Sequence, residues 1–240
     1  MGIDTRFFGP SGWQLFHYIA FHSKNPQAFL KNIGEVLPCK FCRESTKQYI
    51  SEMPLRGTMD PAKWLYDLHN RVNNKLRTQC ADDPQVVNPG PDPSFEEVKK
   101  MYEHEPKNIL GRDFLFSIAV NYDGKTPHIQ EKFLNDLAEV YPTTYLTDIK
   151  GYMKTHPPAL ESNKSYMKWM YGLLSSLGGK DSNLPTYRGY VQRLMYYTSG
   201  CERKTYKGKT CRRVKVGASG YRTKARDNRK TYRITHAVLG

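Results

Sequence analysis

The stretch KFLNDLAEVYPTTYL from Lys132 echoes AFLKNIGEVLPCKFC from Ala28, and this echo constrains the fold more than any other feature of the chain. Phe29/Phe133, Leu30/Leu134, Glu35/Glu139, Val36/Val140 and Pro38/Pro142 share one offset of 104 residues. KWLYDLHNRVNNK from Lys63 matches KWMYGLLSSLGGK from Lys168 at an offset of 105. LFHYIAF has a looser echo in FLFSIAV, and PSFEEVKKMY in PTYRGYVQRLMYY. A helical pattern repeated at near-constant spacing describes a duplicated unit. The competing explanation is that two amphipathic helices share letters by chance.

The unit itself reads as five helices within the first 105 residues. SGWQLFHYIAFHS sets Trp13, Phe16, His17 and Ala20 at helical spacing, with Ser11 as the expected N-cap. NPQAFLKNIGEVLP puts Phe29, Leu30, Ile33, Val36 and Leu37 on one face, starting at Asn25-Pro26. Pro38 breaks the chain, and CKFCRESTKQYISEM continues as a helix with Cys39 and Cys42 at its N-terminus. DPAKWLYDLHNRVNNKL opens on Asp60 as N-cap with Pro61 at N1. Ser94 and Glu97 form a capping box for SFEEVKKMYEHE. No strand pattern stands out, so the expected fold class is all-α.

The two copies differ where chemistry could reside. Cys39 and Cys42 align with Thr143 and Leu146, while His69, Asn70 and Asn73 align with Leu174, Ser175 and Gly178. The hydrophobic frame persists in the second copy and the polar groups do not. A site is therefore expected in the first copy only.

Three uses are open to the Cys39/Cys42 pair. Structural zinc needs about four Cys/His ligands, and the other two-cysteine group, Cys201 and Cys211, is ill spaced for it. Two buried thiols packing as small apolar groups is the inert alternative. A working disulfide fits the surroundings better, because a helix N-terminus together with Lys40 and Arg43 favours a thiolate. Such a pair exchanges with other thiols. A thioredoxin-like answer would place strands beside the motif. Instead, His69, Asn70, Asn73 and Lys75 lie within two helical turns, and Trp13 and His17 form an i, i+4 pair.

GPSGWQLFH, CKFC and WLYDLHNRVNNKL together resemble the three motifs of the Erv/ALR FAD-linked sulfhydryl oxidases, in order, over residues 8–80. The resemblance implies a helical bundle of four helices plus a short fifth that holds FAD. It implies that Cys42 lies against the flavin and attacks it as thiolate, that Cys39 exchanges with dithiol protein substrates, and that O2 takes the electrons to give hydrogen peroxide. Trp13, His17, His69, Asn70, Val72 and Asn73 match cofactor-contacting positions, as do Gly9, Pro10 and Ser11 of the first motif, and Lys75 would face the phosphates. The sequence departs from the family in three places. Asp60 stands near where a disulfide partner of Cys80 would be, no Trp follows the fourth helix, and the N-terminal arm has no shuttle cysteines. The expected organisation is a catalytic unit over 1–105, a degenerate pseudo-Erv or accessory unit over 106–198 and a basic tail over 199–240. Residues 106–198 would then stand in for a second subunit, as in multidomain quiescin-type oxidases, whereas the resemblance to single-unit family members implies a homodimer.

Charge belongs to the tail. Residues 201–240 hold 13 Lys/Arg and two acids, a net +11, whereas the preceding 200 residues hold 24 and 21, a net +3. Nucleic acid or an acidic surface is thus a candidate partner for the tail alone. Cys201 and Cys211 are either a mobile shuttle pair or incidental. Five cysteines and no apolar membrane run or secretory signal lead to the expectation of a cytoplasmic protein. An Erv-type enzyme there resembles those of large DNA viruses, with host cytoplasm or virion as its location. The alternative to an enzyme is a basic virion or nucleic-acid-associated protein with a vestigial redox fold and no flavin.

Overall fold

The computed structural model describes residues 2–82, 86, 88–104, 108–142, 148–178 and 183–199. Cys201, Cys211, the rest of the tail, Thr143 and Leu146 lie outside the described residues. Among those described, ten helices follow one another: α1 (Thr5–His22), α2 (Gln27–Val36), α3 (Lys40–Glu52), α4 (Pro61–Asp82), α5 (Phe95–Met101), α6 (Arg112–Asn121), α7 (Pro127–Val140), α8 (Ile149–Thr155), α9 (Asn163–Gly178) and α10 (Tyr187–Met195). The fold is all-α apart from one antiparallel pair, β1 (Gly2–Ile3) with β2 (Thr198–Ser199), which ties the start of the chain to the end of α10. No described helix is long and apolar enough to cross a membrane.

Most local start signals operate as expected. Asp60 accepts from the Ala62 N–H at 2.9 Å ahead of Pro61, and the Ser94/Glu97 capping box closes at both ends. Ser11 does not cap α1. That helix begins six residues earlier, with Asp4 as its N-cap, and carries Pro10 inside it. Ser11 Oγ instead accepts the N–H groups of Asp113 and Phe114, at 3.1 and 3.3 Å, and so caps α6. The first turn of the second half is thereby closed by a side chain of the first.

The second five helices repeat tertiary details of the first five. Trp64 donates its indole N–H to the Met53 carbonyl at 2.7 Å, and Trp169 donates to the His156 carbonyl at 2.8 Å. Both carbonyls belong to C-cap residues, of α3 and α8. The Tyr66 hydroxyl donates to Pro93 O and the Tyr171 hydroxyl to Pro185 O, each at 2.8 Å. Tyr66 meets Phe95 edge-on at 5.5 Å, and Tyr171 meets Tyr187 edge-on at 5.4 Å.

The halves pack α1 on α6 and α2 on α7. A Cβ on Gly12 would stand 3.2 Å from Phe114, and one on Gly111 would stand 2.8 Å from Leu15. Gly12 and Leu15 correspond to Gly111 and Phe114 at the offset of the FLFSIAV echo, so the contact is reciprocal, as across an isologous interface. Gly111 also holds φ at +73°, a conformation that costs a side chain strain. One apolar core runs through both halves, from Phe7, Leu15 and Phe29 to Phe114, Phe133 and Leu173.

Candidate functional site

Pro38 and the N-terminus of α3 shape the cysteine pair. Cys39 is the N-cap, with extended backbone, and its Sγ accepts the Cys42 N–H at 3.3 Å. The Arg43 guanidinium anchors the turn by donating to Leu37 O at 2.6 Å. The pair is a hydrogen-bonded dithiol. The bond from the Cys42 thiol holds Cys39 below the ordinary thiol range despite its burial, helped by the N–H groups of Cys42 and Phe41 and the Arg43 charge. Donating that bond, together with burial and the nearness of Cys39, pushes Cys42 well up, against the pull of Lys75 and Arg43. The first proton therefore leaves Cys39.

Both thiols are withdrawn from solvent, and burial acts on each of them. Cys39, expected to meet substrate, is 1% exposed, while Cys42 is half-buried.

The second part of the site joins α1, α4 and the end of α5. His17 Nε2 lies 2.9 Å from His69 Nδ1. Trp13 stacks on His69 with centroids 3.8 Å apart and planes 11° apart. Tyr102 covers His17 at 5.0 Å, and burial pushes its phenol up to about 12. Burial lowers His17 to about 4, so its ring is neutral at pH 7. His17 Nδ1 is buried and has no hydrogen-bond partner.

α4 connects this cluster to the cysteines. Lys75, less than two turns beyond His69, donates to Ser45 Oγ at 2.5 Å and acts electrostatically on Cys42. Asn73 donates to Asp92 at 2.8 Å. Partial burial pushes the Asp92 carboxyl up, but hydrogen bonds from Arg77 and Asn73 and the Arg77 charge bring it below its ordinary value. His69, Asn70, Val72, Asn73 and Lys75 are all half-buried. Gly9 and Pro10 are half-buried on α1, and a Cβ on Gly9 would meet nothing within 4 Å. Ser11 is turned to α6.

These residues fit a cofactor that combines a flat heterocycle with phosphates. The Trp13 ring of α1 stacks on His69 of α4, and the amides of Asn70 and Asn73 and the cations of Lys75 and Arg77 follow along that second helix. In the second half the corresponding place is filled. Phe116 replaces His17 and stacks on Tyr190 at 4.3 Å, and Leu174 and Leu177, in place of His69 and Val72, are fully buried. Among the described residues no group of three His, Cys, Asp or Glu side chains could hold a metal ion. Cys80 is a free, half-buried thiol, and Asp60, near its missing disulfide partner, is occupied as the α4 cap.

Tyr102 and Ser45 escaped the sequence analysis. Phe95, Val98 and Tyr102 form an i, i+3, i+7 stripe that marks Tyr102 as inward-facing, and Ser45 follows Cys42 by one turn.

Fold and site together define an all-helical dithiol protein whose cysteine pair opens a helix beside a polar, aromatic cofactor-type cluster. The sequence profile of the Erv1 / Alr family matches residues 10–89 of the chain. The chain is 29% identical over 107 residues to the FAD-linked sulfhydryl oxidase of African swine fever virus (isolate Warthog/Namibia/Wart80/1980), covering 40% of this chain and 80% of that one. It is 28% identical over 85 residues to the mitochondrial FAD-linked sulfhydryl oxidase ERV1 of Saccharomyces cerevisiae (strain ATCC 204508 / S288c), covering 31% of this chain and 45% of the yeast protein. No solved structure gives a significant match.

Proposed function

We propose that the chain is an FAD-dependent thiol oxidase that forms disulfides in protein substrates at Cys39 and Cys42. The observation that carries this is α4, which contributes His69 to the His17/Trp13 cluster and Lys75 to the surroundings of Cys42. The names of the viral and yeast relatives agree with it.

In its oxidised form the pair is a Cys39–Cys42 disulfide. A substrate thiolate attacks Cys39 Sγ, the Cys39–Cys42 bond breaks, and Cys42 leaves as thiolate. A second substrate thiol displaces Cys39, which yields the substrate disulfide. Two electrons and two protons are then held on Cys39 and Cys42. FAD, where bound, would supply the two-electron acceptor for this pair and the route to O2 that gives hydrogen peroxide. Trp13, His17, His69, Asn70, Val72 and Asn73 would hold its ring system and Lys75 its phosphates, with Gly9 and Pro10 bordering it.

The second five helices serve as a built-in pseudo-subunit, supported by the repeated tryptophan and tyrosine bonds and the reciprocal Gly12/Gly111 contact. The tail supplies a cationic arm for nucleic acid or an acidic surface, with Cys201 and Cys211 available as a shuttle pair. Action in the host cytoplasm or virion is proposed because one of the relatives is a viral protein. A Cys42→Ser variant incubated with the disulfide form of a peptide substrate tests the roles of the cysteines, because its Cys39 thiolate opens that disulfide and no Cys42 thiol remains to release the adduct. Accumulation of a mixed disulfide at Cys39, with one peroxide per disulfide in the wild type, is expected. Trapping at another cysteine overturns the assignment. A protein that binds no flavin while its tail binds nucleic acid would favour the non-enzymatic alternative.

A further inference from the structure

The site contains a buried histidine of which only one ring nitrogen is used. His17 is 1% exposed, and its Nε2 faces His69 Nδ1 at 2.9 Å. Its Nδ1 is buried with no hydrogen-bond partner. Phe21 and Tyr102 stack on the His17 ring, and Trp13 stacks on His69, so neither ring turns over without repacking its neighbours.

A single proton lies between the two rings, and the orphaned Nδ1 decides which ring owns it. If His69 were the donor, neutral His17 would carry its proton on Nδ1, where a buried N–H meets no acceptor. If His17 is the donor, Nδ1 carries only a lone pair. An orphaned buried N–H is the rarer arrangement, and an under-used acceptor is better tolerated. A doubly protonated His17 is opposed by its burial.

We propose that His17 donates from Nε2 to His69 Nδ1 and so locks His69 as its Nε2–H tautomer, making His69 a hydrogen-bond donor to the ligand of this site. His17 is on this account a positioning residue that acts through His69, as an outer partner sets the tautomer of an inner imidazole. The ligand atom that meets His69 must then be an acceptor, such as a carbonyl oxygen or unprotonated ring nitrogen of a conjugated heterocycle. The functional weight of this rests on the cofactor reading above, and the tautomer assignment does not.

The test is a long-range 1H–15N correlation spectrum of the full chain, labelled with 15N in its histidine rings, at pH 7. The expected spectrum shows Nε2 protonated and Nδ1 unprotonated in both His17 and His69. His17→Gln, whose amide N–H can replace the donor, should keep the His69 tautomer, and His17→Phe should bring out an Nδ1–H population. His17 protonated on Nδ1, or a His69 tautomer unmoved by His17→Phe, overturns the proposal. If the Phe variant does not fold, the wild-type spectrum and the Gln variant still decide. A protein without flavin would end the oxidase reading and leave this result standing.

Discussion

Phe29 packs against Phe133, the residue with which it aligns 104 positions later, with ring centroids 5.7 Å apart. Asn32 likewise donates to Asp136, its own counterpart, at 3.0 Å. A residue meets its equivalent in this way close to a two-fold axis. The two halves of the chain thus face each other as the subunits of a symmetric dimer do.

The seam between the halves is expected to be sensitive at Gly111. A side chain there clashes with Leu15 and is strained by the positive φ, so Gly111→Ala should cost about 2–4 kcal/mol. Ser11→Ala, which removes the α6 cap, should cost about 1 kcal/mol. Denaturant unfolding measures both. A neutral Gly111→Ala would contradict the packing described.

The filled second site leads to a stoichiometry of one flavin per chain. Phe116, Tyr190, Leu174 and Leu177 leave no polar cradle in the second half. Flavin released from a known amount of protein provides the count, and two per chain would rule out a degenerate second unit.

The cysteine pair should titrate in a definite order. Cys39 is held low by the bond from Cys42, so alkylation of Cys39 should reach its half-maximal rate at lower pH than that of Cys42. Cys42→Ala removes that bond and leaves burial unopposed by it, so the Cys39 midpoint should rise. Peptide mapping after timed alkylation gives both profiles. Its absolute rate should stay low because Cys39 is buried.

Acid should destabilise the fold through His17. Its pKa falls from 6.5 to about 4 on folding, because burial disfavours the charged ring. Between those values the unfolded chain binds more protons, so stability rises with pH and is lost as pH falls through the same window. The effect is about 3 kcal/mol at most. His17→Phe should flatten the stability profile between pH 7 and pH 4, whatever its effect at pH 7.

What could be read from the sequence was local or repeated. Asp60-Pro61 and Ser94/Glu97 name their own helix starts because both partners lie within three residues. The CKFC turn and the HNRVN face also stand within single helices. Ser11 reads as a local cap in the sequence because the N–H groups that it serves are 102 and 103 residues away. The start of α1 at Thr5 was hidden by Gly9-Pro10, which looks like a boundary but lies inside the helix. Pairing of Gly2 with Ser199 joins chain ends that have no shared pattern.

The most direct test of the central claim is the absorption spectrum of the purified full chain, followed by oxygen uptake on adding dithiothreitol under air. A yellow protein that consumes oxygen, and whose uptake is lost in Cys42→Ser, is the expected result and places the chemistry at this pair. A colourless protein that takes up no added FAD, or one whose oxygen uptake survives Cys42→Ser, would contradict it.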